Sequence, residues 1–302
     1  MDLKSKIILI YGPTASGKSN FAIKLSKKIN GEIINADSMQ VYNELKILSA
    51  KPYKRDYQKI KHHLYGFHSV KKKFSTGDWL KLANQKILSI KKRNKVPILV
   101  GGTGLYFKAL TDGLVSIPNI PIKFRERIRS LHRKIGNKKF FSELIKLDPL
   151  VKNQLKPSDT QRSIRAYEVK SYTKKSIYDW FKNTKSNYQH EDFYKIYVDF
   201  PKKELLNRIY SRAQEMIKKG AVLEVKKFNS LKVRKDKTAS KAIGIREVNE
   251  YLQKKIEIDE VIEKISIKTR QYAKRQRTWA SGNMKNWNKI NPIELNKFLK
   301  KI

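Results

Sequence analysis

Gly12 to Ser19 reads GPTASGKS, which fits the spacing G-x-x-x-x-G-K-[ST] of a phosphate-binding loop. Glycines at both ends let the backbone curl so that its amides face phosphate oxygens, and a helix beginning at the loop's end adds a partial positive charge. Among the eight residues Gly12, Pro13, Thr14, Ala15, Ser16, Gly17, Lys18 and Ser19, Lys18 would hold the terminal phosphate. Ser19 would offer its hydroxyl to a magnesium ion bridging the phosphates. Such a loop implies a bound phosphate without naming a reaction.

Asp37 lies in NADSMQVY. A carboxylate there could act as general base or hold magnesium through water, or it could simply cap the next helix. Thr103 lies in VGGTGLYF, where paired glycines allow close approach to a ligand, or only a strand-to-helix turn. His62, His63 and His68 invite a metal, but with no cysteine and no H-E-x-x-H spacing they read as structural. Ser266 to Trp279 places Arg270, Lys274 and Arg277 on one helical face with Tyr272 and Trp279 interleaved, which suits phosphates and stacked bases or a solvated basic helix.

The elements around these residues give them an order. Ile7 to Tyr11 is an apolar run before the loop, and Phe21, Ala22, Leu25 and Ile29 follow it at helical spacing. Ile33–Asn35 and Val96–Val100 read as two further strands, placing Asp37 and Thr103 at carboxyl ends. Strands alternating with helices predict an α/β fold, a parallel sheet covered on both faces with its ligands beyond those ends. Residues 118–194 look entirely helical, and Ser158 with Gln161 has capping-box spacing ahead of a helix. The α/β pattern resumes at Lys195 with KIYVDF and continues through an apolar face from Leu205 to Ile217. The chain therefore divides into a core, 1–117 with 195–302, and a helical insertion, 118–194.

Composition narrows the partners. With 68 Lys and Arg against 27 Asp and Glu the formal charge is +41, for which a polyanion is the simplest cause and a lysine-rich codon bias the competing one. The absence of cysteine excludes disulfides, thiolate metal sites and a cysteine nucleophile. No run of eighteen apolar residues offers a membrane span, and a strand-like run already at Ile7 leaves no room for a signal peptide, so a cytoplasmic protein is expected.

Together these segments resemble the tRNA dimethylallyltransferases, also called tRNA isopentenyltransferases, over almost the whole chain. The resemblance rests on GPTASGKS, on Ala36-Asp37-Ser38 followed by Gln40-Val41-Tyr42, on Ala50-Lys51-Pro52, His62-His63-Leu64 and LVGGTGLY from Leu99. It continues through DTQRSIRAYEV from Asp159, Ala242-Ile243-Gly244 and TRQYAKRQRTW from Thr269. Leu48 and Ser49 depart from the glycine and threonine common in that family before Ala-Lys-Pro, and a leucine cannot freely take a glycine's backbone angles.

The resemblance implies a P-loop NTPase-like core with an inserted all-helical tRNA-binding domain. It implies transfer of a dimethylallyl group from dimethylallyl diphosphate to the exocyclic amine of the adenosine 3′ of the anticodon, with Mg2+ as cofactor. Asp37 would accept the amine's proton, and Thr103 would bond near the reacting centre. Asp37, Ser38, Met39, Gln40, Thr103 and Arg125, with Gln161, Arg162, Ser163, Ile164 and Arg165, would contact the anticodon stem-loop. The chain is expected to work as a monomer away from membranes. An ATP-dependent kinase, or a tRNA-binding protein with a non-catalytic loop, are the alternatives that the residues alone leave open.

Overall fold

A computed structural model describes residues 3–57, 59–291 and 294–301. In chain order its elements are β1 (Ile7–Tyr11), α1 (Lys18–Ile29), β2 (Gly31–Asn35), β3 (His62–His63), α2 (Thr76–Lys91), β4 (Val96–Gly101) and α3 (Gly104–Thr111). There follow α4 (Ile122–Leu147), α5 (Thr160–Thr173) and α6 (Ile177–Lys182). The chain then runs through β5 (Phe193–Val198), α7 (Lys202–Lys218), α8 (Ala221–Ser230), α9 (Ile245–Leu252), α10 (Ile258–Asn283), β6 (Asn288–Ile290) and α11 (Leu295–Lys300).

All six strands form one sheet in the order β3-β2-β4-β1-β5-β6, every pair parallel. The continuous apolar run of β1 follows from cover on both faces. Ile7, Leu9 and Tyr11 pack with Trp79, Phe107 and Ala280 from α2, α3 and α10, while Ile8 and Ile10 pack with Phe21, Leu25 and Ile29 of α1. β4 lies between β1 and β2, so the loops after these three strands open side by side at one edge of the sheet. A third cluster joins α7, α8, α9 and the first half of α10 to the segment around Val41 and Leu45.

Two compact units emerge, Met1–Thr111 with Tyr188–Ile302, and Asp112–Asn187. The division falls several residues ahead of the expected 118 and 194. Ile117 and Ile120 already pack on Phe141 and Leu144 of the insertion, whereas Tyr188 and Phe193 belong with the sheet. The capping box expected at Ser158 does not form. α5 instead starts from Asp159, whose carboxylate accepts from Lys156 N, 3.3 Å away. Within the insertion α4 is broken at Gly136, which has φ 74°. Its carboxyl half and α5 bury Phe141, Leu144, Ala166 and Val169 together.

Candidate active site

The loop from Gly12 to Ser19 turns from β1 into α1 through two residues in the left-handed region, Ala15 (φ 65°) and Gly17 (φ 82°). Thr14, Ala15, Gly17, Lys18 and Ser19 line an open cavity, whereas Gly12, Pro13 and Ser16 are buried beneath the loop. Lys18 Nζ donates to Pro13 O at 3.1 Å. Burial holds its ammonium down to about 8, Arg212 pushing the same way and Asp37 opposing.

Asp37 follows β2 and is positioned by Asn35, which is fully buried. Asn35 Oδ1 accepts from Asp37 N at 2.9 Å, and its Nδ2 donates to Asp37 O and Leu64 O. Asp37 caps no helix. Its Oδ1 accepts from Met39 N at 2.9 Å and Gln40 N at 3.4 Å, closing a side-chain turn, while Oδ2 takes no hydrogen bond among the described residues. Thr103 Oγ1 accepts from Ser38 N at 2.9 Å, so the residues after β4 and β2 are joined directly. Thr103 braces this segment from behind and does not line either cavity described here.

Three residues that sequence patterns left out complete the wall. Arg208 and Arg212 rise one turn apart from α7, where an apolar stripe hid them. Arg212 Nη1 donates to Thr14 Oγ1 at 3.2 Å, and burial lowers its affinity for its proton, with Asp37 opposing. Arg208 stacks over Phe200 at 4.7 Å and lies against Gly17. Gln276 is buried within the basic stretch of α10. Its Oε1 accepts from Thr14 N at 2.8 Å, and its Nε2 donates to Gly102 O at 2.8 Å. The backbone carbonyl of Gln276 also accepts from Tyr11 Oη at 2.9 Å.

α10 thus differs from the basic, base-stacking face expected of it. Trp279 lies over Gly104 and packs on Tyr11 with ring centres 6.0 Å apart, which places it in the core. Tyr272 turns into the site, where burial and then the Asp37 carboxylate keep its hydroxyl protonated well above the ordinary range. Arg270 and Lys274 are exposed, and Arg277 lies 3.7 Å from Asp199. The histidines have structural partners: His62 stacks on Tyr57, His63 bonds Glu32 at 2.7 Å, and His68 packs on Phe74.

Two cavities meet here. One is polar, lined by the loop together with Arg208, Arg212 and Glu215. The other is mainly apolar, lined by Leu48, Ile209, Met216, Ala242, Ile243 and Ile265, with Tyr272 and Arg275. Thr14, Asp37, Ser49 and Arg212 belong to both. Leu48 does not have a positive φ; the left-handed residue of this segment is Ala50, at φ 46°. Gln40 braces the same segment, its Nε2 donating to Ser49 O and Ala50 O.

In the insertion, Glu168 is buried and draws three guanidiniums together: Arg125 at 3.1 Å, Arg129 at 3.4 Å and Arg165 at 3.5 Å. Gln161 and Arg162 are exposed on α5. Ser163 and Ile164, expected to contact RNA, instead face inward, Ile164 packing on Ile128 and Phe140. Their place on the helix puts them on its core side, so any RNA contact from this turn falls to their neighbours.

Comparison with known proteins accords with this arrangement. Residues 40–283 match the family model described as IPP transferase. The chain is 57% identical to a tRNA dimethylallyltransferase of Pelagibacter ubique over all 302 residues, which is 96% of that protein. It superposes on a tRNA isopentenylpyrophosphate transferase of Staphylococcus epidermidis with a TM-score of 0.68 and 31% identity, covering 98% of this chain and 96% of the other. On a eukaryotic dimethylallyltransferase described as acting on tRNA the TM-score is 0.83, with 26% identity over 97% of this chain and 75% of that one. Sequence, fold and neighbours agree that the chain belongs to the IPP transferase family, among the tRNA dimethylallyltransferases.

Proposed function

We propose that this site transfers the dimethylallyl group of dimethylallyl diphosphate to the exocyclic N6 of the adenosine 3′ of the anticodon in tRNA. One observation carries the reading: a cationic cavity over the phosphate loop runs into an apolar one, and Asp37 stands where they meet. A prenyl diphosphate has those two halves in that order. A phosphoryl acceptor would have no need of the apolar half.

In the reaction N6 attacks the first carbon of the allyl group, a C–N bond forms, and the C–O bond to diphosphate breaks with its electron pair leaving on oxygen. Lys18, Arg208, Arg212 and the loop amides face the charge that builds there. The N6 proton passes to Asp37, whose Oδ2 is left for it while Oδ1 serves the turn. The amine's lone pair is spread into the ring, so proton removal during attack matters. Thr103 holds Ser38, and through it the Asp37 turn, in register. Tyr272, protonated, offers a hydroxyl beside the carboxylate.

Magnesium fits the oxygen donors of this wall: Ser19, Asp37 and Glu215 line the polar cavity, and this ion is commonly held by one or two carboxylates together with substrate phosphates. When bound it would neutralise charge on the diphosphate. The adenosine must leave its stack, at lower cost in an unpaired loop. Arg162, Arg165 and Arg125 of the insertion would hold the RNA backbone, and the net charge of +41 would add affinity independent of sequence. The protein would do this as a monomer in the cytoplasm.

The test is donor labelled in its five-carbon group, incubated with protein, magnesium and unmodified tRNA. Label should move to the tRNA as diphosphate is released. Label remaining in the donor would contradict the proposal.

A further inference from the structure

The apolar cavity is bounded by one side chain with an unusual seat. Leu48 is buried and lines this cavity with Met216, Ile243 and Ile265. It lies over the bare Cα of Gly244, where any Cβ would collide with Leu48 Cδ2. Gly244 itself has φ 104°, a conformation that side-chain-bearing residues rarely adopt, so the seat is kept open for the leucine. The backbone beneath is fixed. Lys46 N and Ile47 N both donate to Glu224 Oε2 at 2.8 Å, and Leu48 N donates to Oε1 at 2.9 Å.

We propose that Leu48 sets the length of prenyl chain the site accepts, filling the space that a second isoprene unit would need. This rests on the apolar cavity being the prenyl pocket. A leucine side chain is a branched group of four carbons, close in size and shape to the five-carbon unit by which geranyl exceeds dimethylallyl. A close-packed wall does not yield that much volume by relaxing. Truncating Leu48 opens it, and opposite it Gly244 has no side chain to collapse into the space.

The experiment compares wild type with Leu48→Ala, measuring kcat/KM for tRNA prenylation with dimethylallyl and with geranyl diphosphate. Both donors are assayed on the same preparation, so partial unfolding cancels in their ratio. Wild type should prefer the five-carbon donor by about a hundredfold or more, and Leu48→Ala should cut that preference by at least about tenfold through a gain with geranyl. Leu48→Val should fall between. If wild type uses the five-carbon donor and neither substitution changes the preference, the inference is overturned while the proposed function stands. Failure of the wild type with both donors would overturn the proposed function itself, and the inference with it.

Discussion

The sheet edge and the helical insertion each organise arginines around a single carboxylate, and they do so in opposite ways. At the sheet edge Asp37 keeps one oxygen out of any hydrogen bond, and its surroundings are tied by contacts between distant parts of the chain, Thr14 to Gln276 and Ser38 to Thr103. In the insertion Glu168 is buried and spends both oxygens on Arg125, Arg129 and Arg165, leaving guanidiniums at the surface. The first arrangement over-determines the position of a group that must meet one atom. The second spreads positive charge over a face, which suits a polymer of phosphates that can be gripped in more than one register. The difference teaches where precision is invested: in the carboxylate that reacts at the sheet edge, and in the cations that bind in the insertion.

The largest expected effect breaks the sheet-edge half. Asp37→Asn keeps an oxygen for the Met39 turn but cannot take a proton, so turnover should fall by about 10² to 10⁴ while the Kd for tRNA is unchanged. Equal turnover would remove Asp37 as the base. Gln276→Leu should come next, because it orphans Thr14 N and Gly102 O at about 1–3 kcal/mol for each buried group. A lowered melting temperature together with a raised KM for the donor is the expected pair of readings. An unchanged KM would mean that Gln276 only holds the fold.

Arg162→Ala with Arg165→Ala probes the insertion. Binding of tRNA should weaken and its salt dependence flatten by about one unit of slope per lost phosphate contact, with kcat at saturating tRNA little altered. An unaltered salt slope would mean that this face does not meet the backbone. The smallest effect is one of pH. With Lys18 held to about 8, the donor's KM should rise about tenfold per pH unit above that value, since the neutral amine attracts no phosphate. The sign for stability is the reverse. Between about 8 and its ordinary value Lys18 binds its proton less tightly in the folded chain than in the unfolded one, so its contribution to stability rises with pH there. Lys18→Gln should abolish the pH dependence of KM.

Much of the sheet edge was legible in the sequence because its strands are long apolar runs covered on both faces, and because a phosphate loop needs glycines and lysine at fixed spacing. β3 and β6 were not, being edge strands of two and three residues with little apolar content. Arg208 and Arg212 share α7 with an apolar stripe that dominates its pattern, though their spacing of four residues was the available signal. Gln276 sits in a basic run, and its importance comes from a contact 262 residues away, which local periodicity cannot carry. Trp279 reads as a stacking residue until Gly104 is seen beneath it. Ser163 and Ile164 went astray for a similar reason, since a contiguous motif on a helix necessarily includes its inward face.

The most direct measurement is mass spectrometry of unmodified tRNA incubated with protein, magnesium and dimethylallyl diphosphate, beside a sample given ATP instead. The account predicts one added five-carbon unit on the adenosine next to the anticodon and an inert ATP sample. Unmodified tRNA with ATP consumed would contradict it.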